Sequence, residues 1–113
     1  MSRWFSPKMQ ASSAMSPWQN MMRATRSEGY IGCAHAISVT DFIVTTSTLQ
    51  LPVMGIATDH DGSPPSDSVR ETLNLTQGST FHIIRGAGHL PCVEQPKEFA
   101  RLLTSFLEST DHI

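Results

Sequence analysis

The chain has 113 residues, 39 % of them hydrophobic, with five histidines and a formal net charge of −2. That length suits one small domain, and an apolar share below the roughly 45–50 % of an average globular chain leaves a thin core. Arg23 and Arg26 are the longest local basic cluster, too little for the one-faced basic patch that nucleic acid needs, and no apolar run approaches the roughly 20 residues of a membrane span.

Residues 1–48 are rich in Met, Ala, Ser and Trp and read as helical pieces. The opening Met1-Ser2-Arg3-Trp4-Phe5 has no uninterrupted apolar stretch of the kind a signal peptide carries. Ser16-Pro17 reads as a helix start, with Ser as the cap and Pro at the first position, where its missing N–H costs nothing. Trp18, Met21 and Met22 then form one apolar stripe. A second helix is expected from Glu28 to about Ser38, with Tyr30, Ala34 and Ile37 on one face and Gly29 and Gly32 weakening it. A short third helix over Asp41 to Thr46 would be capped by Asp41.

Residues 49–113 alternate between strand and helix patterns. Leu51 to Ala57 is a short apolar run that fits a strand buried on both faces. A polar stretch, Thr58 to Ser68, follows. Ser66 to Leu75 reads as a helix with Val69, Thr72 and Leu73 turned inward, and Gly78 ends it. Phe81 to Ile84 is a second strand, closed by Arg85-Gly86-Ala87-Gly88. The last helix starts at Pro96 and carries Phe99, Leu102, Leu103, Phe106 and Leu107 as a clean amphipathic face. This order predicts a parallel strand pair joined by a right-handed crossover. A parallel pair on its own leaves strand edges open, so the chain reads as the end of a larger sheet, able to pair with another half-chain or with itself.

Parallel strands send their C-terminal loops to one sheet edge, where α/β folds place function. The first loop holds Asp59, His60 and Asp61; the second holds His89. A carboxylate on one imidazole nitrogen fixes the tautomer and stabilises the imidazolium formed when the ring takes a proton. Read singly, either residue would default to a structural role, and Asp59 is an alternative acid. Cys92 lies just past His89, with nothing beside it to activate the thiol; Ser63 is the other relocated-nucleophile candidate. Cys33 and Cys92 show neither disulfide-framework nor zinc-site spacing, and read as reduced, partly buried thiols of a cytoplasmic protein. Trp18, Met22 and Tyr30 are candidate substrate-pocket residues, with Met21 beside them, against the plainer reading that they pack helices together. Arg23 and Arg26 could meet a substrate carboxylate, against the plainer reading of solvated charges.

The acid loop, the His loop and the amphipathic helix follow one another as at the end of an α/β-hydrolase. The segments RWF, PWQNMMRATRSEGYIGCAHAI, HDGSPP and GAGHLPCVEQPKEF resemble 3-oxoadipate enol-lactonases. The resemblance implies an α/β fold in which residues 1–48 end a helical cap and return to the core, and 49–113 form the last two parallel strands with their helices. It implies Asp61 as triad acid and His89 as triad histidine, lactone or ester hydrolysis in the β-ketoadipate degradation of aromatic compounds, and no metal or organic cofactor. Two departures stand out: no G-x-S-x-G nucleophile elbow occurs in these residues, and Thr58 replaces a common Gly in an acid loop one residue shorter than usual.

Overall fold

A computed structural model describes residues 3–62 and 66–113; Ser63 therefore lies outside the described residues, as do Pro64 and Pro65 of the acid loop. Ser6-Pro7 starts a short helix, α1 (Pro7–Gln10), whose Met9 N–H is capped by the Ser6 hydroxyl at 3.3 Å. A single 3₁₀ turn, Ser13–Met15, runs directly into α2 (Ser16–Ala24). Ser16 is therefore not the cap expected from the sequence: the chain is already helical when it arrives, and Ser12 caps the turn by accepting from Ala14 N–H at 3.2 Å. Next come α3 (Ser27–Ser38) and α4 (Ile43–Thr46). α4 starts two residues later than expected, with Phe42 and not Asp41 at its N-cap, and Asp41, the residue before the cap, accepts from Ile43 N–H at 2.9 Å.

The core is one strand–helix–strand unit followed by two helices. β1 (Met54–Thr58) and β2 (Thr80–Ile84) pair in parallel, with Met54 opposite Thr80 and Thr58 opposite Ile84. β1 starts later than the sequence suggests: Pro52 cannot donate to a ladder, and the first tie across is Thr80 N–H to Val53 C=O at 2.9 Å. The crossover is α5 (Ser66–Leu73), and the chain ends in α6 (Pro91–Glu94) and α7 (Pro96–Ser109).

Helices cover both faces of the strand pair. Leu73 of α5 lies over Gly55, where its side chain occupies the space a Cβ would need, and Arg70 stacks on the Phe81 ring at 4.2 Å. On the other face Leu102 of α7 packs with Ile84 and Ala87, joined by Ile56 and Phe99. The alternation of strand residues between faces makes this division necessary. Among the described residues the sheet has only these two strands, so each has an unpaired edge.

The N-terminal helices are thinly supported. No residue of α3 or α4 is buried, and Tyr30, Ile31, Ile37, Val39, Phe42, Ile43 and Val44 are all exposed apolar groups. Cys33 and Cys92 are free and exposed; the expectation of partly buried thiols fails because α3 has nothing packed over it and Cys92 sits on the outer side of α6. Among the described residues no helix is long and apolar enough to cross a membrane.

Candidate active site

Both loops at the C-terminal ends of the strands are bonded to each other across the sheet edge. The buried Thr58 hydroxyl donates to Gly88 C=O at 2.9 Å. Asp59 accepts from Gly86 N–H at 2.7 Å, and His60 N–H donates to Ala87 C=O at 3.1 Å. Gly86 turns the chain with φ +72°, a conformation that favours glycine. These ties bring the next pair of side chains together: Asp61 Oδ2 lies 2.9 Å from His89 Nδ1. Against an ionised carboxylate, which can only accept, this contact calls for the proton on Nδ1, and a neutral ring then keeps its lone pair on Nε2.

Solvent access is unequal within the pair. The Asp61 side chain is 11 % exposed and that of His89 41 %. The acid is thus shielded, while the ring remains open to a reactant. Asp59, the alternative acid, is committed to Gly86 and does not meet the ring. Thr58, the departure noted in the sequence, ties the acid loop to the histidine loop through its hydroxyl.

A third segment completes the setting. Trp4 C=O accepts from His89 N–H at 2.8 Å, and Phe5 beside it is 2 % exposed. Residues 4–5 lie so close to Gly88 that an added Cβ would stand 2.6 Å from Trp4 O and 2.8 Å from Phe5 Cα. Arg3 reaches the acid loop, donating to Gly62 C=O at 3.4 Å. Sequence reasoning missed Trp4, Thr58 and Glu94 as site-building residues; Trp4 acts through its carbonyl, Thr58 and Glu94 through side-chain bonds to the Gly88 backbone, and such bonds leave no periodic signal.

Of the candidate pocket residues, Trp18 and Met22 line a narrow apolar cleft of about 20 Å³ with Trp4, Phe5, Met21 and Leu90. Neither Asp61 nor His89 lines this cleft. Trp18 also packs on Phe5, ring centroids 6.2 Å apart. Tyr30, half exposed on α3, does not line it. Arg23 pairs with Asn20 at 3.5 Å and Arg26 with Glu28 at 3.7 Å, both at the surface. Among the described residues no group of three or more His, Cys, Asp and Glu is gathered as a metal would require.

No family model matches the chain. A pyrrolizixenacetamide deacetylase of Xenorhabdus hominickii is 33 % identical over 63 residues, which are 56 % of this chain and 23 % of the deacetylase. Among solved structures, the enol-lactonase of Burkholderia xenovorans superposes with a TM-score of 0.81 at 23 % identity, covering 94 % of this chain and 41 % of the lactonase. The bromoperoxidase of Bacillus anthracis gives a TM-score of 0.80 at 23 % identity, covering 95 % of this chain and 41 % of its own. The chain thus spans about a quarter of the deacetylase and two-fifths of the solved structures. Its fold matches about two-fifths of the α/β-hydrolase fold of those two solved structures.

Proposed function

We propose that the chain supplies the acid and the histidine of an acyl hydrolase acting on lactones or esters, with the nucleophilic hydroxyl provided by residues outside these 113. The observation that carries this reading is the Asp61–His89 contact at 2.9 Å, at the strand ends, with the ring open to solvent. Fold likeness to an enol-lactonase and partial sequence likeness to a deacetylase favour the same chemistry, cleavage of an acyl bond. In the reaction, His89 Nε2 takes the proton of the attacking hydroxyl as its oxygen bonds to the acyl carbon. The ring then returns the proton to the departing alkoxide, and Asp61 steadies the imidazolium between the two steps. Water repeats the sequence to release the acid. The β-ketoadipate pathway, a cytoplasmic setting and the division at residue 48 into cap return and core belong to this same proposal.

Mixing or co-expression with polypeptides that carry a strand–G-x-S-x-G–helix segment tests it. Turnover of an enol-lactone or aryl ester should appear with a matching partner and vanish in His89→Ala. Silence across a broad set of such partners would refute the reading.

A second reading is favoured by the unpaired strand edges and the exposed apolar stretch from Tyr30 to Val44: a non-catalytic module that associates through these surfaces. Size-exclusion chromatography discriminates. Self-association with no turnover in any mixture supports the module, and a well-protected monomer contradicts it.

A further inference from the structure

We infer that Glu94 is a positioning residue for His89, a clasp that fixes the histidine loop from behind; this rests on the dyad reading above. Glu94 closes α6 and is half-buried, and its carboxylate gathers donors from two distant parts of the chain. Oε1 accepts from Gly88 N–H at 2.8 Å. Both oxygens lie 3.2 Å from Ser6 N–H, and Oε2 also accepts from the Ser6 hydroxyl. Ser6 itself is 2 % exposed, and the bonds to Glu94 are part-buried.

The bonds close a ring. Glu94 holds Ser6, the Trp4–Ser6 segment presents Trp4 C=O to His89 N–H, and Glu94 returns to Gly88 N–H. On the other side Thr58 holds Gly88 C=O. The Gly88–His89 peptide therefore has its carbonyl fixed by one element and its N–H by another, which sets the direction in which the His89 side chain leaves the backbone. A carboxylate is suited to this place because it accepts on every lone pair and donates nothing. A carboxamide would turn an N–H₂ toward at least one of the three converging donors.

The test is ¹H–¹⁵N NMR on the full chain, reading the hydrogen-bonded Nδ1–H of His89. In the wild type this proton should be protected and lost on Asp61→Asn. Glu94→Gln should abolish it or speed its exchange at least roughly tenfold, as loss of a charge-assisted hydrogen bond implies, with His35, His82 and His112 unchanged. Ser6→Ala, which removes one donor and keeps the carboxylate, should give a smaller change in the same direction, and it decides the matter if Glu94→Gln does not fold. A Glu94→Gln protein that loses thermal stability yet keeps the wild-type His89 signal has a merely structural Glu94, and the inference is overturned. If Asp61→Asn leaves the His89 signal unchanged, the dyad reading itself fails and the clasp falls with it.

Discussion

Gly88→Ala probes the seam on which the site is assembled. The new Cβ would stand 2.6 Å from Trp4 O, 2.8 Å from Phe5 Cα and 2.9 Å from Phe5 C, where non-bonded carbon atoms normally keep about 3.5–4.0 Å. All three obstacles are backbone, so no rotamer change relieves them. Gly88 is not among the glycines with positive φ, so the penalty is steric and not conformational. Relief requires residues 4–5 to withdraw by most of an ångström. That movement drags the buried Phe5 ring and breaks the 2.8 Å bond from His89 N–H to Trp4. Overpacking of this kind costs about 1–3 kcal/mol, and a lost backbone hydrogen bond adds about 1 kcal/mol, for a total of about 2–4 kcal/mol. With a urea dependence of about 2 kcal/mol per molar, the midpoint should fall by about 1–2 M. Equilibrium urea unfolding followed by circular dichroism measures it. A Gly88→Ala midpoint within about 0.25 M of wild type would show that residues 4–5 do not press on the histidine loop.

Other expectations follow from the same packing. Gly29 and Gly32 lie inside α3 with nothing within 4 Å of an added Cβ, so each Gly→Ala change should stabilise the chain by about 0.5–1 kcal/mol and raise its helical signal; a loss of stability would mean α3 is covered in solution. Leu102→Ala empties the centre of the cluster with Ile84 and Ala87 and should cost about 2–4 kcal/mol in the same urea assay, a neutral result contradicting the packing of α7 on the sheet. On the surface of α7 the Arg101 guanidinium, bonded to Glu98 at 2.6 and 2.9 Å, holds the Glu98 carboxyl below its ordinary value, and Glu98 holds Arg101 above its own. Stabilisation from a depressed carboxylate is present above its ordinary value and fades as pH falls through the folded one. Arg101→Ala should therefore move the Glu98 midpoint upward in a carboxyl ¹³C titration, with little effect on overall stability because the pair is exposed.

Much of the core was legible from periodicity. The α7 stripe of Phe99, Leu102 and Phe106 fixes a helix over the sheet, and the apolar runs on either side of Ser66–Leu73 fix a parallel pair, because a crossover of that length allows no hairpin. Parallel pairing in turn obliges the loops after Thr58 and Ile84 to share an edge, so an acid of the first loop could be expected near His89, while the choice of Asp61 over Asp59 came only from the resemblance. Less could be read where the cause is tertiary. Nothing local marks the 4–6 segment as a neighbour of Gly88, since the bonds that tie it to His89 and Glu94 run to residues more than eighty positions away. α1 and α6 are each four residues long, too short to show an apolar period, and only Ser6-Pro7 and Pro91 announce them. Spacing put Tyr30 on one face with Ala34 and Ile37, but spacing says which residues share a face and not what the face meets, and Tyr30 does not join Trp18 and Met22 at the cleft.

The two halves of the chain bear on the proposed function in different ways. Among the described residues, the bonds described above around the dyad come from residues 3–6, from Thr58 and the loops after β1 and β2, and from Glu94, and none of them comes from α3 or α4. Those helices and the outer strand edges instead carry the apolar and ladder-forming surface that a larger sheet and cap would bury. Formation of the acid–imidazole pair and acquisition of turnover should thus be separable. In the chain alone the Asp61-dependent Nδ1–H signal of His89 should be present while ester hydrolysis is not, and adding a nucleophile-bearing partner should bring hydrolysis together with new amide protection over residues 30–44. Hydrolysis by the chain alone that survives His89→Ala would contradict this separation, because its nucleophile could owe nothing to the pair.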